Sequence, residues 1–212
     1  APTNLDLSWP EYVKLSRNQD GEHGVTLYRR DGRLGYLGAI ANARQLYGKY
    51  QSLSAMDLFD RQFIAGTSKA GGRFGSMFGA GSFKHAVNDE PSTLDDALKH
   101  IPITGTISEG QFRKFKSACT WPGAGAVTGS RLLAMKRPDL FVCVNSKNRK
   151  RLAAAFGMTA AHVQKWDGYW EMIQRAWEFR WHLSTRPRTG PEREIWDARV
   201  ALLDAPFYFH EE

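Results

Sequence analysis

The sequence predicts a mainly α-helical protein, on three observations. From residue 92 onward apolar residues recur at i, i+3 and i+4, the spacing that builds one face of a helix. The breaks between these runs carry helix punctuation: Ser92 with Asp95 and Ser108 with Gln111 at starts, Pro102 and Gly157 at ends. Alternating, strand-like hydrophobicity is confined to residues 25–37, where Val25, Leu27, Leu34 and Tyr36 flank an Asp31-Gly32 turn and read as a short hairpin.

Residues 39–65 read as helical with a break near Ser52 to Ser54, followed by a glycine-dense stretch from Gly66 to Gly81. This stretch lacks the Gly-Lys-Ser/Thr ending of a phosphate-binding loop and does not fit the dinucleotide fingerprint. It reads as a loop passing close to a ligand or to another helix. Ser92 to Ile101 forms the next helix, and Ser108 opens another bearing Phe112 and Phe115. Two more are expected at 126–135 and 146–156, and Thr159 begins the one after. The run Trp166, Tyr169, Trp170, Ile173, Trp177 is an aromatic stripe at helical spacing and reads as core. After a loop at 187–191, residues 192–205 read as one amphipathic helix through Ile195, Trp196, Val200, Leu202 and Leu203, with Arg199 and Asp204 in structural roles.

The chain has 212 residues, 42% of them hydrophobic and 12% aromatic, enough to fill the core of one compact domain or two small lobes. No stretch reaches the roughly 20 apolar residues of a membrane span. Cys119 and Cys143, the only cysteines, make no disulfide framework and no four-cysteine metal site, and a reducing cytoplasm is the expected compartment. The six histidines form no His-x-x-x-His pattern, so no metal is expected.

Charge is unevenly placed. The net charge is +7, yet residues 111–151 hold ten cations (Arg113, Lys114, Lys116, Arg131, Lys136, Arg137, Lys147, Arg149, Lys150, Arg151) against Asp139 alone. A basic block on a near-neutral body is the footprint of a polyanion-binding face, or of an ordinary solvated helical surface.

Within the block lies Thr120-Trp121-Pro122-Gly123-Ala124-Gly125-Ala126-Val127-Thr128, in which a helix stops, a Pro-Gly-x-Gly turn reverses the chain, and a second helix starts. Glycines permit a tight turn and let backbone N–H groups approach a phosphate, and the helix start adds its positive dipole end. This arrangement grips a nucleic-acid backbone without reading sequence, or forms a plain corner between packed helices. The continuation, Pro138-Asp139-Leu140-Phe141-Val142-Cys143-Val144-Asn145-Ser146-Lys147-Asn148-Arg149, makes residues 109–157 resemble the helix-hairpin-helix DNA glycosylase superfamily. Pro122-Gly123-Ala124-Gly125 matches the family hairpin, Thr128 the family threonine, and Phe141 to Val144 its apolar run. Asn145, 23 residues beyond Pro122, falls where the family has its catalytic aspartate.

The resemblance implies a two-lobed fold, one lobe from residues 1–91 with 158–212 and the other from 92–157, with double-stranded DNA in the cleft. It implies DNA contacts from Trp121, Pro122, Gly123, Gly125, Val127, Thr128, Lys147, Asn148 and Arg149. Phe74, Met77 and Phe78 would wall a pocket for an extruded base, and a monovalent cation would sit at the hairpin. Val127 occupies the place of the lysine nucleophile of bifunctional members, so the implied activity is monofunctional hydrolysis of an N-glycosidic bond. With no cysteine after Cys143, no iron–sulfur cluster is expected. The implied location is cytoplasmic and nucleoid-associated.

Asparagine is isosteric with aspartate but lacks the charge that stabilises a cationic sugar. Asn145 is either a replacement of an aspartate or native. If native, the chain is a DNA-recognition domain of a repair, restriction or phage-defence system that senses a modified base without cutting, or one that uses another group. Asn is also among the best helix N-caps, a role compatible with both readings.

Overall fold

The computed structural model describes residues 4–17, 27–28, 34–68 and 76–208. Among them there are twelve α-helices and no strand, in line with the mainly α expectation. The first five are α1 (Trp9–Arg17), α2 (Tyr36–Lys49), α3 (Leu58–Ala65), α4 (Gly81–Asp89) and α5 (Pro91–Leu98). Then come α6 (Glu109–Ala118), α7 (Ala126–Lys136), α8 (Arg149–Ala155), α9 (Ala160–Val163) and α10 (Trp166–Glu178). The chain closes with α11 (Pro191–Asp197), a 3-10 turn (Ala201–Leu203) and α12 (Asp204–Phe207).

The helix α7 runs through the interior. Its residues Thr128 to Met135 are all buried, and it packs against α2 and α3. A helix covered on nearly every side needs apolar residues all round, and Leu132, Leu133, Ala134 and Met135 supply them. Arg131 interrupts that pattern. It is fully buried, and its guanidinium donates to the carbonyls of Ile64 (2.9 Å) and Phe63 (2.9 Å) in the last turn of α3. Gly66 follows with a left-handed φ of 71°, and a Cβ there would lie 3.0 Å from the guanidinium carbon, so only glycine fits.

α10 carries the aromatic stripe into the core. The Trp170 ring stacks on Phe112 at 4.3 Å between centroids, tying α10 to α6. The same helix steadies residues 140–145, an extended buried segment with no neighbouring strand. Buried backbone polar groups must find partners, and side chains provide them here. Tyr169 Oη donates to the Val142 carbonyl at 2.9 Å, and Trp177 Nε1 donates to that of Leu140 at 2.9 Å. Ser130 Oγ accepts from the Val144 N–H at 2.9 Å.

Several local expectations change. The hairpin at 25–37 lies largely outside the described residues, but Tyr36 and Leu37 open α2, which corrects a strand there. Ser92 does not cap its helix. The chain enters α5 through Pro91, whose fixed φ suits the first turn. Asp95 instead accepts the N–H groups of Leu53 (2.7 Å) and Ser54 (3.1 Å), holding the turn between α2 and α3. The single helix expected at 192–205 is broken into α11, the 3-10 turn and α12, because the chain turns at Ala198 and Val200 goes into the core. The Ser108–Gln111 capping box forms in both directions.

Tyr169→Phe leaves the buried Val142 carbonyl without its donor. The expected loss is about 1–3 kcal/mol of unfolding free energy, read from the urea midpoint at unchanged slope.

Candidate nucleic-acid interface

The turn between α6 and α7 combines a buried base with an open tip. Trp121 is buried, its ring centroid 5.6 Å from that of Phe83, and its Nε1 donates to Thr128 Oγ1 at 3.2 Å. The Ala124 N–H closes the turn on the Trp121 carbonyl at 2.9 Å. Between these anchors Pro122 and Gly123 are exposed. Gly123 has a φ of 73°, which favours glycine, and the nearest atom to a Cβ built there would be Ser82 Cβ at 4.0 Å.

Gly125 is the N-cap of α7 and brings no side chain to it, so the first N–H groups of the helix carry no side-chain cap. Ser82 belongs to the first turn of α4, whose N-cap Ala80 likewise gives no side-chain bond. Two helix starts lacking side-chain caps therefore lie close to one exposed glycine turn, and the dipole of each favours an anion at its own start. Val127 is half-buried beside the tip, and Thr128 is buried beneath it.

The basic block divides in two. Arg131 is spent on α3. Lys136 donates to the Leu98 carbonyl at 2.8 Å, and burial lowers its pKa from the ordinary lysine value. Arg137 is buried, paired with Asp139 at 2.9 Å, and donates to the carbonyls of Pro102 (2.9 Å) and Gly105 (2.6 Å). These three are structural. Lys136 and Arg137 line a cleft of about 430 Å³ shared with Arg44, Tyr47 and Trp196, at the opposite end of α7 from the hairpin. The remaining seven cations reach the surface in whole or in part. Arg113 pairs with Glu109 (2.6 Å), Lys116 with Asp167 (3.2 Å), and Arg149 donates to Gln164 Oε1 (2.5 Å). Lys114, Lys150 and Arg151 are exposed, and Lys147 is half-buried.

Position 145 ends the extended segment. Asn145 is 6% exposed, and its Oδ1 accepts the N–H groups of Lys147 (2.8 Å) and Asn148 (3.2 Å). In return, the Asn145 N–H donates to Asn148 Oδ1 at 2.9 Å. This is a capping box built from two asparagines, and the Arg149 N–H reaches the Asn145 carbonyl at 3.1 Å, so the helical turn starts ahead of α8. Asn145 is thus the cap that its residue type favours. Asn148, expected on the DNA face, is fully buried with both amide atoms engaged inside the protein.

Behind the turn lies a carboxylate that sequence reasoning assigned only a general structural role. Asp204 is fully buried and accepts from Tyr36 Oη at 2.6 Å and from Asn148 Nδ2. Burial pushes its pKa up to about 6, against the opposing pull of those two donors and of the Arg131 charge. The Asn145 amide lies beside Asp204 and Cys143, favouring their charged forms, while its Nδ2 completes no hydrogen bond among the described residues. Cys143 is fully buried with its thiol pushed up to about 12 by burial, so it is a small apolar residue rather than a nucleophile. The sequence signal for this network was a charge set in an apolar run: Asp204 in Leu202 to Ala205, Arg131 in Ser130 to Leu133.

Phe74 lies outside the described residues, Met77 is packed in the core, and Phe78 is exposed with Lys84 Nζ 5.5 Å from its ring centroid. No group of three or more metal-ligating side chains occurs among the described residues, and none of the described helices is long and apolar enough to cross a membrane.

Because folding raises the Asp204 pKa, the native state holds its proton more tightly than the unfolded chain does, and stability falls as pH rises through about 4 to 6. The difference in unfolding free energy between wild type and Asp204→Asn is expected to change by about 2–3 kcal/mol across that window, to the disadvantage of the wild type at the higher pH, and to be flat above it. Urea unfolding at a series of pH values reads it. Taking the difference removes the opposing contribution of His182, whose pKa burial lowers to about 4.

No protein-family model, no curated protein and no solved structure matches the chain.

Proposed function

We propose that this chain is a duplex-DNA-binding protein of the base-excision glycosylase type. The observation that carries the proposal is the exposed Pro122-Gly123 turn, close to the starts of α7 and α4 that carry no side-chain cap, in a stretch of chain whose cations between Arg113 and Arg151 reach the surface at seven positions. Backbone N–H groups at two helix starts are suited to a phosphate, and the lysines and arginines add attraction that is indifferent to sequence. In this reading the two lobes close on the duplex, and a damaged, mismatched or modified base is unstacked so that its sugar faces position 145. With Val127 in place of a lysine nucleophile, the chemistry is hydrolysis of the glycosidic bond by water, without strand cleavage.

One observation favours a second reading, recognition without hydrolysis. Asn145 is neutral, so no anion faces the sugar from that position, while its Oδ1 keeps the capping geometry intact. The chain then holds an extruded base and leaves it attached, as a sensor in a repair, restriction or phage-defence system.

Binding is tested by fluorescence anisotropy on duplexes of unrelated sequence over a range of salt. The expected result is a linear fall of log K with log salt; Lys114→Glu and Lys150→Glu each weaken every duplex alike and lower the slope by about one. Salt-independent binding, or none, refutes the proposal. Hydrolysis is read as alkali-labile sites in damaged or modified duplexes. Wild-type protein that produces them is an enzyme as it stands, and sites that appear only with Asn145→Asp identify the chain as a reader on a glycosylase scaffold.

A further inference from the structure

We infer that Asp204 is the positioning residue of the turn at 145 and that it reserves position 145 for an uncharged side chain: a carboxylate placed there has to share one proton with Asp204. The inference concerns the protein alone. Its consequence for catalysis rests on the function proposed above.

Asn148 connects the two positions. One end of its amide accepts the Asn145 N–H, and the other donates to Asp204 and to the Cys143 carbonyl (2.7 Å). The carboxylate thus orients Asn148, and Asn148 fixes the backbone at 145. Oδ1 of Asn145 is committed to the N–H groups of Lys147 and Asn148, which leaves the NH₂ end on the side of Asp204 and Cys143. An aspartate in the same rotamer keeps the two capping bonds through one oxygen and turns its second oxygen toward the Asp204 carboxyl. Two carboxylates in one buried site do not both ionise; the pair takes up a proton from solvent and titrates as a unit.

The surroundings give little relief. Arg131 from α7 is the cation facing Asp204, and its Nε and Nη2 hydrogen bonds go to the end of α3. From α2 comes Tyr36, which donates its one hydroxyl proton to Asp204, with Tyr208 beyond it. The extended segment offers the Cys143 thiol, which burial keeps neutral. From α1, packed on α12, Tyr12 gives its hydroxyl proton to the Arg199 carbonyl. Among the described residues Arg131 is the cation that draws down the Asp204 carboxyl, and a second negative charge at 145 would compete with Asp204 for it.

The test follows the aspartate carboxyl carbons by NMR from pH 4 to 9 in wild type, Asn145→Asp and Asn145→Asp/Asp204→Asn. In Asn145→Asp, one carboxyl is expected to stay protonated at least one pH unit above the wild-type Asp204 midpoint, a tenfold tighter proton, and this feature vanishes in the double variant. Two carboxyls titrating independently, neither above the wild-type midpoint, overturn the inference. Should Asn145→Asp fail to fold at pH 7, it is expected to fold at pH 5, where the proton is retained, and Asp204→Asn is expected to rescue it at pH 7; absence of both overturns the inference. In the DNA assay, base release by Asn145→Asp rises with pH as the shared proton leaves, and Asp204→Asn moves that rise to lower pH. If proton sharing is seen and no variant releases a base, the glycosylase reading fails while the role of Asp204 stands.

Discussion

A single buried carboxylate organises the centre of this molecule. Asp204 receives hydrogen bonds from Tyr36 at the start of α2 and from Asn148 at the head of α8, and faces the Arg131 charge on α7. Removing one partner from such a cluster strands a polar group in the interior, which is costlier than any single bond within it is worth. The cluster therefore behaves as a unit. It ties the end of α3, where the glycine-dense stretch begins, to the turn at 145 and to the last helix.

The geometry of the hairpin face follows from this arrangement. α7 is held in the interior by apolar side chains and by Arg131, so its first turn has a fixed direction. The open tip at Pro122 and Gly123 stands on a buried base, where Trp121 bonds to Thr128 and the Ala124 N–H closes the turn. Preorganised donors bind an anion at lower cost than donors that must be gathered first.

Much of the helical plan was legible because its signals are local. The Ser108–Gln111 box, the left-handed Gly157 after α8 and the stripe on α10 each depend on residues within a few positions of one another. The hairpin and the cap at Asn145 were legible for the same reason. What was missed is non-local. Tyr36 and Asp204 are 168 residues apart, and Asp95 finds its acceptor role 42 residues away at Leu53. The charge count over residues 111–151 misled in one respect, because formal charge does not tell which cations face inward. Arg131, Lys136 and Arg137 serve backbone carbonyls and Asp139, so fewer cations of the block face outward than the sequence total suggests. A helix expected over 192–205 broke because its apolar residues alone do not show where the chain must bend to bring Asp204 inward.

The distance along the chain between the hairpin and Asp204 also imposes an order on assembly. Ribosomes deliver the hairpin about eighty residues before Asp204, an interval of roughly 4–16 s at ordinary elongation rates. For the last 56 residues of that interval Asn148 has no carboxylate to orient it, and the start of α8 lacks its inner anchor. The basic corner is thus born before the turn at 145 is set, and α12, made after both, completes the centre.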